Sequence, residues 1–530
     1  MNKLLQLFIR KLNKAPQQDA QAKTEQADSL SGNLQQNINK VQALTGNSSD
    51  IAIRTFQGAY GLPMAIFYII GLTNSDVIND NIMKPILFDA DVNRPQQRAL
   101  SDFFTDIKDK IITVSRTNTI SKMDEFMSAL FNGDTIILAE GWEQGISASS
   151  SKWKQRSVEE PSSQSVVRGP KDSFTEDMST NIALIRRRIK SPKLWKIDRK
   201  IGLVTQTDVC VMYLKGTAND SVVDEVLQRL DRIEIDGILE SGYLEEFIQD
   251  QTFTPFPTIL NTERPDTVAA SILEGQVAVL VDGTPFVLIL PITFLKFFVA
   301  SEDYYQRFDI STFLRLLRFF AFAISMVLPS LYIAITTFHQ EMIPTTLLVS
   351  LAAQREGIPF PAFLEALLME ITFEVLREAG VRMPRAIGSA ISIVGALVLG
   401  QAAVEAGLVS AAMVIVVAFT AISSFVVPAF NISIAARLIR FILMGLAAAL
   451  GLFGIMSGLF FLLLHMLSLR SFGVPYLTPM APFVPSNLKD SIVRAPWWMM
   501  ITRPRFLAKN NYVRQNVNLH PKPSNKEKEK

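Results

Sequence analysis

Four carboxylates interrupt one apolar stretch of this chain, residues 361–380: Glu365, Glu370, Glu374 and Glu378. Around them lie Phe363, Leu364, Leu367, Leu368, Met369, Ile371, Phe373, Val375 and Leu376. At about 100° per residue, Glu370, Glu374 and Glu378 advance by about 40° each and form one helical stripe, with Glu365 about 140° from Glu370. An ionised carboxylate at a bilayer centre costs about 2.5–3.5 kcal/mol, so the stripe must face water, protein or a pore rather than lipid. Two arrangements satisfy that. The helix can lie on the membrane surface, with weak ion pairs from Glu374 to Arg377 and from Glu378 to Arg382. It can also pack around the axis of an oligomer, where a ring of carboxylates concentrates cations. The residues leave both open, and the four carboxylates are the candidates for a pore or a coupling element.

Other chemistry is absent from the string. There is no P-loop, nucleophile elbow or zinc-protease helix. His339, His465 and His520 have no ligand spacing, so no metal site is expected, and no cofactor or enzymatic activity. The single cysteine, Cys210, excludes an internal disulfide and sits in the strand-like DVCVMYL as a small core residue. A net charge of +2 gives no electrostatic basis for a nucleic-acid partner. The basic string RRRIK (186–190) has no aromatic platform beside it and reads as a solvated face, a subunit contact or a contact with anionic lipid.

The elements that must hold the carboxylates are apolar. Residues 319–338 carry no charge and are long enough for a bilayer core of about 30 Å. Arg315 and Arg318 precede them as cytoplasmic anchors. Further runs follow at 386–404, 407–436 and 441–469. Pro428 breaks the third, because it cannot donate the helical hydrogen bond. The fourth holds Ala447-x-x-x-Gly451 and Gly454-x-x-x-Gly458, spacings at which small residues let helices approach, so Gly451, Gly454 and Gly458 are helix-packing candidates. Four spans, with both chain ends in the cytoplasm, are preferred to five, because the carboxylates make a fifth span costly.

The rest divides by composition. Residues 1–50 form a flexible segment ending in a short helix on Leu34, Ile38, Val41 and Leu44. The apolar run near the start, LLQLFI, is too short for a signal-peptide core, which puts the N-terminal region in the cytoplasm. Residues 51–145 and 196–292 look like two copies of one α/β unit: NGDTIILAEG (132–141) aligns with EGQVAVLVDG (274–283), and YIIGLTNSDVI (68–78) with YLKGTANDSVV (213–223). A polar linker (146–195) separates them, a membrane domain occupies 293–475, and a basic cytoplasmic tail (476–530) places Trp497 and Trp498 on the headgroups. The expected fold is an α/β cytoplasmic region of two similar small subdomains followed by an α-helical polytopic membrane domain.

Three strings are distinctive: RSVEEPSSQSVVRGPKDSFTEDMSTNIALIRRRIKSP, TERPDTVAASILEGQVAVLVDGTPFVLILP, and IPFPAFLEALLMEITFEVLREAGVRMPRAIGSAISIVGALVLGQAAVEAGLVS. With them the chain resembles, over nearly its whole length after about residue 45, the A subunit of the GerA-type spore germinant receptors. That resemblance implies a multi-pass protein of the spore inner membrane or cell membrane. It implies two partners, a permease-like B subunit that is the usual site of nutrient recognition and a lipoprotein C subunit. It also implies a homo-oligomer with an ion-conducting path. A component of a secondary transporter or lipid exporter is the alternative that broken apolar helices leave standing.

Overall fold

The computed structural model describes residues 29–58, 61–89, 104–151, 161, 164, 166–382, 398, 400–508, 511–516, 519 and 521. The chain divides into two compact units. The first comprises residues 1–249, 259–291 and 500–530, and the second comprises 250–258 and 292–499.

The first unit opens with α1 (Leu34–Thr45), which starts where the Asn33 side chain accepts from the Gln36 N–H and stops at left-handed Gly46. Its buried residues Leu34, Ile38 and Val41 carry the expected spacing. Ten strands then form two five-stranded sheets. β1 (Ile51–Gln57), β2 (Pro63–Ile69), β3 (Thr117–Ile120), β4 (Asp134–Ala139) and β5 (Gly145–Ser149) make the first, in the order β1-β2-β4-β5-β3. β6 (Leu194–Ile201), β7 (Thr207–Leu214), β8 (Leu260–Thr262), β9 (Val277–Val281) and β10 (Val287–Leu290) make the second, in the order β6-β7-β9-β10-β8. Every pairing is antiparallel and the two orders correspond strand for strand.

The aligned strings occupy matching places in these sheets. β4 and β9 are each third of five, and nearly all of their residues are buried. Each follows a helix, α2 (Met123–Phe131) or, later in the chain, Pro265–Leu273. Each is flanked by glycines at positive φ, Gly133 and Gly141 in one copy and Gly275 and Gly283 in the other, a conformation that L side chains avoid. Central strands covered on both faces read as continuous apolar runs. The edge strand β6 comes closer to alternation, and the edge strand β1 is largely exposed or half-buried. Cys210 is a fully buried residue of β7, and burial pushes its thiol up, away from reactivity.

Two expectations for residues 146–195 need correction. β5 lies largely inside the stretch read as linker. Its sequence, GISAS, has too little apolar volume to announce a strand, and ladders on both sides make it one. The basic string 186–190 is only in part a solvated face. It closes α3 (Met178–Arg188), and Arg186 is fully buried. Its guanidinium forks onto Asp50 at 2.8 and 3.0 Å, donates to the Leu194 carbonyl at 2.6 Å, and lies over the Phe131 ring. α4 (Asp220–Asp231), α5 (Ser241–Ile248) and α6 (Pro265–Leu273) complete the unit.

The tail is not one segment either. Residues 500–516 pack within the first unit, where Arg503 Nε donates to the Leu273 carbonyl at 2.9 Å and Arg514 pairs with Glu274 at 3.4 Å. Residues 476–499 belong to the second unit, and there Trp497 lies against Arg494 and Tyr304.

The second unit is helical. α7 (Phe308–Thr337) is followed by α8 (Thr345–Arg355), α9 (Ala362–Arg382), α10 (Ala411–Phe425) and α11 (Phe430–Ser468). α7 and α11 are long and apolar enough to cross a membrane. The run 386–404 lies mainly outside the described residues. Arg315 and Arg318 are not anchors ahead of a helix but residues within α7. Both are buried on Asp303, Arg315 Nε at 3.0 Å and Arg318 Nη1 at 2.7 Å. Pro428 falls between α10 and α11. The run 441–469 is not one straight helix, because α11 bends at Gly451 (φ 59°, ψ −139°). Its two arms meet on the inside of the bend, where a Cβ on Gly458 would stand 2.7 Å from Leu443 Cδ2 and one on Gly454 would run into the Leu446 carbonyl. The small residues thus pack one arm of α11 on the other. The core joins α7, α9, α10 and α11 through Ile333, Ala334, Ala366, Met413, Val417, Met444, Ala447 and Ile455.

Candidate functional site

α9 starts just after Pro361, which suits a first turn, and continues through good helix formers. Its two faces are reversed relative to a helix of a water-soluble core. Leu364, Leu368, Ile371 and Val375 are exposed, at 40 to 62%. Glu365 and Glu370 are fully buried. The 40° stripe therefore points into the helical unit at its start and emerges only at Glu378.

The four carboxylates do different things there. Glu365 accepts from the backbone N–H of Ser410 at 3.0 Å and from its hydroxyl at 2.6 Å, with Arg355 Nε at 3.9 Å. Ser410 is itself the N-cap of α10, accepting from the Met413 N–H, so Glu365 reinforces a helix start with negative charge. Glu370 meets Arg440 Nη2 at 3.0 Å, and both side chains are essentially sealed from solvent. Glu374 receives three guanidinium groups: Arg437 Nη1 at 2.9 Å, Arg440 Nη2 at 3.3 Å and Arg377 Nη1 at 3.3 Å. Glu378 pairs with Arg382 at 2.6 Å on the exterior and takes no part in this network.

Glu370 and Glu374 are thus brought together, while Glu365 and Glu378 stand apart. Aromatic faces line the arginines: Arg377 lies 4.8 Å from the Phe373 centroid and 5.4 Å from that of Phe425, Arg437 lies over Phe430, and Arg440 over Phe441. Glu370 and Glu374 are thus paired with arginines inside the helical unit, an arrangement neither of the two sequence readings included. Arg377 is the partner that spacing gave to Glu374, whereas Arg437 and Arg440 are the residues that sequence reasoning left out of the site. The signal was present: Arg437 and Arg440 are isolated charges in a long apolar run, three apart and so on one helical face, as the carboxylates four apart are on theirs. What this arrangement can do is hold α9 on α11 through charge pairs that are strong in a low-dielectric setting and costly to break one at a time. Among the described residues no group of His, Cys, Asp and Glu is placed to hold a metal ion.

A family model described as Bacillus/Clostridium GerA spore germination protein matches residues 39–506. "Spore germination protein KA" of Bacillus subtilis is 48% identical, over 93% of this chain and 90% of its own length. The "Uncharacterized membrane protein YfkQ" of the same organism is 44% identical, over 95% of this chain and 97% of its own. "Spore germination protein GerLA" of Bacillus cereus is 37% identical, over 90% and 96%. Among solved structures, the N-terminal domain of the A subunit of the Bacillus megaterium spore germinant receptor GerK3 is 41% identical over 51% of this chain and 98% of that one, with a TM-score of 0.40. With a family match across most of its length and relatives of this identity, the chain belongs to the GerA family of spore germination proteins.

Proposed function

We propose that this chain is the A-type membrane subunit of a nutrient germinant receptor, and that its helical unit forms or gates an oligomeric ion-conducting path. The observation that carries the reading is the reversal of α9: apolar residues outward, carboxylates and arginines inward. Such a helix is suited to lipid on one side and to a polar interior on the other. In this reading α9 crosses the bilayer. The pairing of Glu370 and Glu374 with three arginines lowers the cost that spoke against a further span, and the paired network acts as a latch between α9 and α11. A permease-like B subunit supplies nutrient recognition, a lipoprotein C subunit completes the receptor, and the two sheets of the first unit face the cytoplasm. No catalytic role is part of this reading.

The test is germinant-triggered release of monovalent cations from spores. Spores lacking this chain are compared with spores carrying Glu374→Gln or Glu378→Gln at matched protein levels. The reading expects loss of release without the chain, altered release with Glu374→Gln and unchanged release with Glu378→Gln. Saturable solute uptake by the purified chain in vesicles, with normal cation release in spores lacking it, points instead to a transporter or lipid-exporter component.

A further inference from the structure

The paired core of the helical unit does not balance. Arg377, Arg437 and Arg440 face Glu370 and Glu374, which leaves one positive charge over. The connecting residues 383–397 contain no Asp or Glu that could cancel it, and Glu378 is already taken by Arg382. The donors are not used up either. Nε of Arg377, Arg437 and Arg440, together with Nη1 of Arg440, is buried without a hydrogen-bond partner, as are both carboxylate oxygens of Glu370, so the donors exceed the acceptors that the core leaves open. A buried guanidinium with unused N–H groups beside an excess of positive charge is a poor end state, because an unmet buried donor is costly and an unmatched buried charge more so.

We propose that this core is a binding site for one small monovalent anion of the carboxylate or halide class. Its charge completes the balance of three against two, and a planar carboxylate also matches the fork of a guanidinium. The cluster is sealed at Arg440 and Glu370 and partly open at Glu374, whose side chain is 26% exposed, so an anion enters from the Glu374 side. Depth along the helices selects between a soluble anion and a lipid phosphate. At 1.5 Å per residue, Glu370 and Glu374 lie about 12–18 Å from either end of α9, and Arg440 about 15 Å from the start of α11. A headgroup phosphate would have to be drawn that far into the hydrocarbon, whereas a small anion need only pass through the polar core. This step rests on the proposed membrane placement of α9 and α11, while the charge imbalance does not.

The experiment uses the purified full-length chain in phosphatidylcholine nanodiscs. Its thermal unfolding is followed while sodium acetate replaces sodium gluconate at constant ionic strength, gluconate serving as the bulkier monovalent comparison anion. Acetate is expected to raise the unfolding midpoint with saturation, and Arg437→Gln to abolish that rise. Glu374→Gln leaves two positive charges over, so it should bind acetate roughly three- to tenfold more tightly while lowering the midpoint without acetate. A purely structural ion-pair network predicts the lowered midpoint but no gain in acetate affinity. Superimposable acetate and gluconate curves, a rise that survives Arg437→Gln, or an unchanged half-saturation in Glu374→Gln each overturns the proposal. Loss of the acetate effect in phosphatidylglycerol nanodiscs that persists at raised ionic strength would assign the site to a net-anionic lipid headgroup and overturn the soluble-anion reading. None of these measurements uses germination, so failure of the receptor reading would be seen separately in the spore assay.

Discussion

At the scale of single residues, environment rather than type decides what each carboxylate does. Removing Arg440 strands Glu370 in a sealed core, and breaking one side of a buried pair costs about 3–5 kcal/mol. Arg440→Gln is therefore expected to lower the unfolding midpoint of the full chain strongly, whereas Glu378→Gln, on an exposed pair, should leave it unchanged. Equal midpoints for the two variants would mean that the network contributes nothing. The first unit offers a titration test. On α5, burial, with the charges of Glu240 and Glu246 adding to it, pushes the Glu245 carboxyl up to about 7. Burial acts on Glu240 in the same direction but is outweighed by hydrogen bonds from Ser241, Gly242 and Thr284, which bring its carboxyl below the usual range. Because the folded value of Glu245 lies above the unfolded one of about 4.3, its contribution is most favourable below that pH and is lost as pH rises through about 7. The loss is about 2 kcal/mol once partial exposure is discounted. Glu245→Gln should match the parent at pH 4 and exceed it in thermal midpoint at pH 8. A difference that stays constant between those pH values would remove Glu245 as the cause.

At the scale of elements, legibility followed how local the cause was. β4 and β9 could be read because a buried central strand is an apolar run closed by turns, and α1 because its spacing and caps lie within a few residues. β5 could not, since GISAS is a strand only through its neighbours. The early start of α7 was hidden by charges that find Asp303 after folding. The carboxylate network was half legible: the stripe is a matter of spacing, but Arg437 lies far along the chain from Glu374 and only the packing of α9 on α11 joins them. Gly451 was visible as a small residue in an apolar run, and its backbone conformation was not. Its φ of 59° and ψ of −139° are open essentially to glycine alone, and a Cβ there would lie 2.8 Å from His339 Cε1 and 3.0 Å from Phe338 Cβ. Gly451→Ala is expected to cost about 2–4 kcal/mol. Gly445→Ala, at a helical position in α11 with nothing within 4 Å of the added methyl, should be neutral or gain up to about 1 kcal/mol. If both substitutions shift the unfolding midpoint alike, α11 is not bent at Gly451 in the protein.

At the scale of the whole molecule, the path of the chain constrains topology without any count of helices. The chain leaves the first unit after Pro291, builds the helical unit, and returns at Met500 to the unit it left. The return is anchored: Arg503 donates to the Leu273 carbonyl, Arg514 reaches Glu274, and Thr502 bridges Val513. These contacts are to the turn between α6 and β9, within the unit that precedes the helices. A compact α/β unit cannot be shared across a bilayer, since its exposed backbone and charges have no place in hydrocarbon. In the membrane placement proposed above, an even number of crossings between Pro291 and Met500 is therefore expected. The four-span arrangement preferred from sequence is of this even kind, and the five-span alternative is the one the labelling below discriminates. Cys210 is buried, so cysteines engineered at exposed Gln35 and Leu519 can be labelled against a quiet background. In right-side-out vesicles an impermeant maleimide is expected to leave both unlabelled, and in inside-out vesicles to label both. Labelling of Leu519→Cys alone from the outside would show an odd number of crossings, and the packing of residues 500–516 on the first unit would then be wrong.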